Sequence, residues 1–350
     1  MKRKFSRKAL VALFAVSALA LSACSSGDDA SGDVKVSLIL KNQTNPFFVS
    51  MVKGAEAKAA ELGIDLTISS GKEEGDDAAQ IAAIENAISA KHAGIVITVM
   101  STNVNAAITK AREAGLLVIA LDTPTDPADI ADITFATDNR EAGRLIGQWG
   151  AKKLGGQKAV IALLNIFDDR VSPVDYLRDN GFLEGMGIPV NDPNKMADEA
   201  KKGKYSGGDY EIVGNVATGA NEDGGRSGME KLLARNPNIN IVYTINEPTA
   251  IGACAALKAA KKTAIVVSVD GGLSGIEAVK SGCIGATSQQ YPLRMADIGL
   301  QAIYDLVKSG KKPEVTPGKD FFDTGVTLIT DDPQDGVPSE STQYGIDNAW

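Results

Sequence analysis

Histidine and aromatic residues are scarce in this sequence, and their scarcity narrows the classes of function open to it. His92 is the single histidine among 350 residues. A Ser-His-Asp triad is therefore possible only around that residue, and the histidine clusters of common metal enzymes are excluded. We accordingly expect no catalytic residue and no metal site. Aromatic residues make up 5% of the chain, so an aromatic pair in a loop is informative.

Glycine-rich phosphate-binding loops are missing at the position where they usually occur. The first predicted turn between a strand and a helix, residues 41–48, contains no glycine, so neither GxGxxG nor GxxxxGK[ST] is present there. The pairs Gly224-Gly225 and Gly271-Gly272 lack the spacing of a nucleotide motif. We therefore expect no cofactor and predict that the protein is not an enzyme.

Acidic residues outnumber basic residues in this sequence. The chain carries 36 basic and 44 acidic residues, and its formal charge is −8. Five of the basic residues lie within residues 1–8, and their removal would bring the net charge to −13. This acidity disfavours a nucleic-acid partner. Hydrophobic residues make up 44% of the chain, which is typical of globular proteins, and the length favours two domains.

The first residues have the layout of a secretory signal. Residues 1–8 are basic, residues 9–21 form an apolar run too short to span a membrane comfortably, and small residues follow. Leu21-Ser22-Ala23-Cys24 resembles a bacterial lipobox, in which the cysteine is acylated and becomes the new N-terminus. We expect a lipoprotein signal peptide over residues 1–23, lipidation at Cys24 and a flexible leash over residues 24–33. A short anchor helix is the alternative for the apolar run.

This signal predicts an extracytoplasmic protein, anchored through lipid to the bacterial cell membrane at the cell surface or in the periplasm. With Cys24 assigned to lipid, Cys254 and Cys283 remain. An exported protein permits a disulfide between them, while their apolar surroundings are equally consistent with two buried free thiols.

The body of the sequence alternates predicted strands and helices. This alternation is typical of α/β proteins, whose parallel sheets are covered by helices on both faces. Two such sheets, divided near residues 133–139, account for the length. Residues 187–210 interrupt the pattern and are interpreted as a surface insertion with at most a short helix, whose contact with a partner is left open. The predicted strands are residues 34–40, 64–68, 94–99, 116–121, 159–164, 210–216, 239–245, 264–269 and 284–288.

Planar polar side chains stand where these predicted strands end. Ligands of doubly wound sheets bind at the carboxyl ends of the strands. Asp, Asn and Gln can each exchange two hydrogen bonds with neighbouring hydroxyl groups, and an aromatic face covers the C–H side of a sugar ring. Each such polar residue alone is more often a turn former or a helix cap, and core filling is the alternative for the aromatic pair. The strand-end residues are Asn42, Asn45, Phe47, Phe48, Asp122, Asn246, Glu247, Asp270, Gln289 and Gln290.

Seven short motifs occur along the chain in a fixed order. They are Asn45-Pro46-Phe47-Phe48-Val49, Val118-Ile119-Ala120-Leu121-Asp122, Ala136-Thr137-Asp138-Asn139, Arg178 four residues before Phe182, Asn246, Val269-Asp270-Gly271 and Ala286-Thr287-Ser288-Gln289-Gln290. In this order they resemble the ribose-type periplasmic sugar-binding proteins of ABC importers, and the resemblance covers nearly all of residues 34–330. Segments 121–127, 243–248, 288–292 and 323–330 are more narrowly similar to the fructose-binding branch.

The resemblance implies the type I periplasmic binding protein fold, with two doubly wound parallel-sheet lobes joined by a three-strand hinge. Crossings are expected near residues 137–138, 289–290 and before Thr324. The N-terminal lobe then comprises residues 34–137 and 290–320, and the C-terminal lobe comprises residues 138–289 and 321–330. Residues 331–350 form a C-terminal tail.

Positions of the family pattern assign a ligand site between the lobes. Thr123 stands where that pattern has an arginine, Val269 where it has a phenylalanine, and Ala220 or Asn221 near another aromatic residue. These departures disfavour ribose itself and favour a differently shaped sugar such as a ketose. The ligand-binding positions carried over are Asn45, Phe47, Phe48, Asp122, Arg178, Asn246, Asp270 and Gln290.

Taken with the signal, these residues predict a solute-binding lipoprotein, expected as a monomer, that captures a monosaccharide and delivers it to an ABC transporter permease. Fructose is the first choice of ligand. One alternative is a sugar receptor that presents its closed form to a sensor kinase or chemoreceptor, and another is a binder of a different small polyol or pentose. The sequence leaves the exact sugar, its anomer and the membrane partner open.

Overall fold

A computed structural model describes residues 34–350. The expected signal peptide, the lipidation site Cys24 and the leash lie outside the described residues. Within residues 34–350, no helix has both the length and the apolar character needed to cross a membrane.

Strands and helices alternate along most of the described chain, as expected. The strands are β1 (Val34–Leu40), β2 (Ile64–Ser70), β3 (Gly94–Ile97), β4 (Leu117–Leu121), β5 (Ile133–Ala136), β6 (Ala159–Asn165), β7 (Lys202–Tyr205), β8 (Gly208–Ala217), β9 (Ile241–Thr244), β10 (Ile265–Asp270), β11 (Ala286–Gln289), β12 (Phe322–Asp323) and β13 (Thr327–Ile329). The helices are α1 (Pro46–Leu62), α2 (Asp77–Ser89), α3 (Asn105–Glu113), α4 (Asn139–Lys153), α5 (Pro173–Met186), α6 (Glu222–Arg235), α7 (Glu247–Ala259), α8 (Leu273–Lys280), α9 (Pro292–Ser309) and α10 (Thr342–Asp347).

The strands form two sheets, which confirms the predicted fold class. The first sheet has the order β12-β5-β4-β3-β1-β2, and all of its pairings are parallel. The second has the order β13-β11-β10-β9-β6-β8-β7. Its central pairings are parallel, and only its two edge strands, β13 and β7, pair antiparallel. We refer to each sheet with its helices as the first and the second lobe.

Each sheet is apolar on both faces because helices cover both. In the first lobe, Val36 and Leu38 of β1 pack with Leu300 of α9, whereas Ile39, the residue after Leu38, packs with Ile84 of α2 on the opposite face. This alternation follows from side chains that point to opposite faces along a strand. In the second lobe, one core contains residues of α4 and α5, and the other contains residues of α6, α7 and α8.

Within residues 34–350, the chain crosses between the sheets three times. The crossings follow β5, β11 and β12, at residues 137–138, 290–291 and 324–326. The expected positions for the first two are residues 137–138 and 289–290, and Gln289 is the last residue of β11. The third differs, because Phe322 and Asp323 of β12 pair with Phe135 and Ala136 in the first sheet. The expected boundary, which assigns residues 321–330 to the C-terminal lobe, is therefore wrong for residues 321–323.

Residues 187–210 contain a strand, so the expectation of at most a short helix is wrong. Lys202–Tyr205 pairs antiparallel with the start of β8, and Ser206 and Gly207 form the turn between them. A four-residue strand with the sequence KGKY has too little apolar alternation to be recognised before its partner is known.

Cys254 and Cys283 form a disulfide and are not two free thiols. The sulfurs of Cys254 and Cys283 are bonded, with 5.9 Å between the Cα atoms. The bond links α7 to the segment that follows α8 within the second lobe.

Candidate functional site

A small cavity lies between the lobes, at the carboxyl ends of the strands of both sheets. Its volume is about 30 Å³. It is lined by residues that follow β1, β2, β4, β6, β8 and β9, by the last residue of β10, and by residues of helices α1 and α5. Seven of the eight predicted ligand residues lie on its wall: Asn45, Phe47, Phe48, Asp122, Arg178, Asn246 and Asp270. The eighth, Gln290, lies behind Asp270 and donates from Nε2 to its Oδ1 at 3.0 Å.

Asp122 and Asp270 occupy corresponding positions in the two lobes, since Asp122 directly follows β4 and Asp270 ends β10. Both side chains are buried, and both residues have positive φ, 62° for Asp122 and 144° for Asp270. Such backbone conformations cost about 1–3 kcal/mol in non-glycine residues and cluster at functional sites. Surrounding structure must therefore hold the two carboxylates in place.

Arg178 joins these carboxylates across the lobes. Its Nη2 donates to Oδ1 of Asp122 at 3.2 Å, and its Nη1 lies 3.8 Å from Oδ1 of Asp270. Nη1 also donates to the carbonyl of Ile245 at 3.0 Å, and Nε donates to Oδ1 of Asn139 at 2.7 Å. Arg178 is only 4% exposed, so its charge is compensated almost entirely by these contacts.

Close helix packing places Arg178 at this position. Helices α4 and α5 approach through glycines, and a Cβ added to Gly143 would lie 2.1 Å from the carbonyl oxygen of Arg178. A Cβ on Gly181 would lie 2.2 Å from the carbonyl of Arg140. Any larger residue at either position would push α5 away, because the blocking atoms belong to the backbone.

The environment of Asp270 argues against the helix-cap alternative for this residue. The N-cap of α8 is Gly272, and no side chain caps that helix. The backbone N–H groups of Gly271 and Gly272 donate instead to Oε1 and Oε2 of Glu247, at 2.8 and 3.0 Å. Burial raises the pKa of Asp270, and the Arg178 cation opposes this shift. Burial likewise raises the pKa of Glu247, and the adjacent Asp270 raises it further.

The helix-cap alternative does hold for Asn45 and Asn246, although both line the cavity. Oδ1 of Asn45 accepts from the backbone of Phe47 at 3.0 Å at the start of α1. Oδ1 of Asn246 accepts from the backbone of Thr249 at 3.1 Å, and its Nδ2 donates to the carbonyl of Ala220 at 2.9 Å. Each asparagine thus combines a structural contact with a position on the wall.

The aromatic pair belongs to both the core and the site. The rings of Phe47 and Phe48 meet edge to face with centroids 5.4 Å apart, and both contribute to the core of the first lobe. The ring of Trp350, near the end of the tail, lies 5.4 Å from that of Phe47, and its Nε1 donates to the carbonyl of Gln290 at 3.0 Å. The tail therefore reaches the edge of the site.

The three departures from the ribose-type pattern affect the site differently. Ala220 lines the cavity, whereas Val269 is buried in the core of the second lobe. Thr123 is also buried, and its Oγ1 donates to Oδ2 of Asp122 at 2.9 Å. The second lobe consequently presents only the methyl group of Ala220 on the cavity wall. This agrees with the expectation that this chain lacks an aromatic residue of the ribose-type pattern near that position.

The sequence analysis missed Lys41, Glu74 and Asn139. Lys41 immediately follows β1 and Glu74 lies in the loop after β2, so the strand-end rule covers both positions. Charged residues in such loops usually face solvent, which is why neither was selected. Asn139 begins α4, and its Nδ2 donates to the carbonyl of Asp122 at 2.8 Å. Within residues 34–350, no group of three or more His, Cys, Asp or Glu side chains is arranged to hold a metal ion.

Contacts outside the cavity also connect the lobes. Arg170, in the loop after β6, donates from Nη1 to the carbonyl of Gly75 at 2.7 Å and to Oδ2 of Asp77 at 3.1 Å. The hydroxyl of Tyr176 donates to Oδ2 of Asp126 at 3.2 Å. A larger cavity of about 300 Å³ lies beside the crossings and includes Tyr176, Asp126 and Asp138 in its wall. None of the eight predicted ligand residues lines it.

Comparison with known proteins agrees with this geometry. The ribose import binding protein of Haemophilus influenzae is 29% identical over 88% of this chain and 96% of its own length. The D-allose-binding periplasmic protein of Escherichia coli K12 is 26% identical over 84% of this chain and 91% of its own length. A crystal structure of an ABC transporter solute-binding protein from Agrobacterium vitis with bound D-fucose is 26% identical, with a TM-score of 0.71, covering 85% of this chain and 95% of that one.

The sequence pattern described as the periplasmic binding protein domain matches residues 36–312, which include every predicted ligand position and, from Val36 of β1 onward, all strands of the two sheets except the edge strands β12 and β13. Together with the two parallel-sheet lobes and the cavity between them, this match shows that the chain belongs to the periplasmic binding protein domain family.

Proposed function

We propose that the protein is an extracytoplasmic solute-binding protein that captures a monosaccharide between its lobes and delivers it to an ABC transporter permease. The convergence of groups from both lobes on one cavity supports this function most directly. Asp122 comes from the first lobe and Arg178, Asn246 and Asp270 come from the second. These side chains can accept from and donate to adjacent hydroxyl groups, while Phe47 and Phe48 offer an apolar surface to a ring.

The relatives support a sugar as the ligand class. Two relatives that align with 84% or more of this chain are described as a ribose import binding protein and a D-allose-binding periplasmic protein. We propose fructose as the ligand of this chain, because Ala220 on the cavity wall and Thr123, which bonds to Asp122, depart from the ribose-type pattern, and because several segments resemble the fructose-binding branch. Replacing an arginine and an aromatic ring changes both the hydrogen-bonding groups and the shape offered to the sugar.

Ligand entry requires the lobes to separate. A cavity of about 30 Å³ holds two or three water molecules at most, which is far less than a monosaccharide. The contact between Arg178 and Asp122 spans the lobes, so it must lengthen when they open. A sugar that bonds to both side chains has its full set of contacts only when the lobes close around it. Its binding therefore shifts an open–closed equilibrium that a membrane partner can recognise.

The proposed location rests on the N-terminal residues. A cleaved signal and acylation at Cys24 would hold the protein outside the cytoplasm, with residues 24–33 as a leash to the membrane. A tethered position suits delivery to a permease in the same membrane. We propose that the protein acts as a monomer.

Isothermal titration of the chain from residue 25 onward against a monosaccharide panel tests the proposal. The panel contains fructose, ribose, allose, fucose, arabinose and a polyol such as myo-inositol. We expect the tightest binding for fructose and at least tenfold weaker binding for ribose. Tight binding of another monosaccharide would reject fructose and retain the function, whereas the absence of binding to every sugar would reject monosaccharide capture.

A further inference from the structure

Two charged side chains outside the predicted set of ligand residues line the same cavity. Lys41, directly after β1, is only 2% exposed, and lysine is rarely buried unless it is paired. Its backbone N–H donates to Oγ1 of Thr98 at 3.0 Å, which fixes the chain where it leaves the strand. Glu74, in the loop between β2 and α2, forms another part of the wall.

The carboxyl group of Glu74 is only half satisfied. Its Oε1 accepts from Nδ2 of Asn42 at 3.1 Å, whereas its Oε2 is buried and has no hydrogen-bond partner. An unpaired buried acceptor is costly, and such groups in a native structure call for an explanation. Burial raises the pKa of Glu74, and the Lys41 cation opposes that shift. The two charges are thus close enough to influence each other beside the cavity.

We propose that Glu74 and Lys41 form an additional subsite that selects the ligand, in which Oε2 of Glu74 accepts a hydroxyl hydrogen bond and Lys41 donates to a ligand oxygen. This inference rests on the proposed function, since it places these residues in the sugar site. Glu74 would add a hydroxyl contact from the first lobe to those of Asp122 and Arg178 on the same cavity. The ligand hydroxyl would supply the partner that Oε2 lacks.

The charges around the cavity also define the ligand class. Three carboxyl groups, those of Glu74, Asp122 and Asp270, face two cations, Lys41 and Arg178. Each cation already interacts with at least one of these carboxylates. A phosphate or carboxylate on the ligand would enter a site with no surplus positive charge, and burying an uncompensated charge is strongly unfavourable. The subsite therefore selects a neutral polyhydroxy ligand over a sugar phosphate or a sugar acid.

Titration of four variants tests the subsite. Glu74→Gln keeps the shape of the side chain and removes its charge, and Lys41→Met removes the ammonium group. Glu73→Gln and Lys72→Met are matched controls, since both residues are exposed and lie in the same loop as Glu74. We expect Glu74→Gln and Lys41→Met to weaken binding of the best monosaccharide about tenfold or more, and each control to change it less than threefold.

Ligand analogues identify the contact in the intact protein. Monodeoxy derivatives of the bound sugar each lack one hydroxyl group. The derivative that lacks the hydroxyl bound by Glu74 should bind the wild type more weakly than the parent sugar does. Its affinity for the Glu74→Gln variant should be nearly the same as its affinity for the wild type. Binding of the 6-phosphate and of the corresponding sugar acid should be at least tenfold weaker than that of the neutral sugar. A melting curve for each variant shows whether it is folded. If Glu74→Gln is unfolded, Glu74→Asp takes its place, because its shorter side chain withdraws the carboxylate from the cavity.

The outcomes separate this inference from the proposed function. A wild type that binds no monosaccharide would reject the function itself. A wild type that binds a monosaccharide, with folded Glu74 and Lys41 variants that bind it within threefold of wild type, would reject only the subsite. Tighter binding of a sugar phosphate than of the neutral sugar would overturn the assignment of ligand class.

Discussion

Replacement of Asp270 by alanine should weaken sugar binding more than any other single change in the cavity. The Asp270 carboxylate is buried, lies 3.8 Å from Arg178 and accepts from Gln290. Hydrogen bonds to a charged group contribute about 1.5–3 kcal/mol each. Loss of two hydroxyl contacts, partly offset by removal of a buried charge, should cost about 2–4 kcal/mol of binding free energy. This corresponds to a dissociation constant about 30- to 1000-fold higher.

Two further variants separate ligand contact from effects on folding. Asp270→Asn keeps the size of the side chain and one acceptor oxygen, so its loss of affinity reflects the missing charge and the second acceptor. Ser341→Ala removes the N-cap of α10, which lies outside the cavity, and should lower stability by about 1 kcal/mol without changing affinity.

Titration calorimetry with fructose, or with whichever sugar of the panel binds best, gives the dissociation constants, and thermal melting gives the stabilities. If Asp270→Ala binds within about threefold of the wild type while its melting temperature falls, Asp270 supports the fold alone and the ligand contacts lie elsewhere.

Four other predictions concern the anchor, the hinge, the tail and a buried acid. Cys24→Ser should abolish incorporation of labelled fatty acid, and equal labelling of wild type and variant would disprove the lipoprotein assignment. A saturating sugar should compact the protein in X-ray scattering and raise its melting temperature, so superimposable profiles would argue against hinge closure. Trp350→Ala should destabilise the sugar-free protein by about 1–3 kcal/mol in denaturant melts, because its packing on Phe47 and its bond to Gln290 are lost, and an unchanged midpoint would show that the tail contributes nothing. Burial raises the pKa of Asp179 well above its usual range, and the charge of Glu199 adds to the shift, so the protonated form stabilises the fold and this contribution is lost as pH rises through the folded-state pKa. Asp179→Asn, which mimics the protonated acid, should therefore raise the melting temperature at about pH 8 and leave it nearly unchanged at about pH 4, and the opposite pattern would contradict the sign of the shift.

The order of elements was predictable because it depends on local patterns. Apolar runs bounded by turn residues identify most of the buried strands, and their alternation with helices specifies parallel sheets. The positions of Asp122 and Asp270 followed as well, since polar residues at the carboxyl ends of parallel strands meet in one crevice. Short elements were less predictable: β7 and β12 carry few apolar residues, and pairing with a neighbouring strand defines them.

Arg178 shows a different limit. It lies within α5, so no strand-end argument reaches it, and only the family resemblance selected it. Its place between Asp122 and Asp270 depends on how closely α4 and α5 pack at Gly143 and Gly181. The distance between α4 and α5 depends on both helices together, so the sequence of one helix alone does not predict it.

The sequence by itself determined the two-sheet α/β class and most of the residues that surround the cavity, because strand and helix periodicity and strand-end position are local properties. Only the tertiary structure decided that Lys41 is buried, that Oε2 of Glu74 lacks a partner and that Cys254 is bonded to Cys283. Burial, hydrogen-bond satisfaction and disulfide pairing depend on which distant segments meet, and a charged residue in a loop has the same local pattern whether it faces solvent or a ligand.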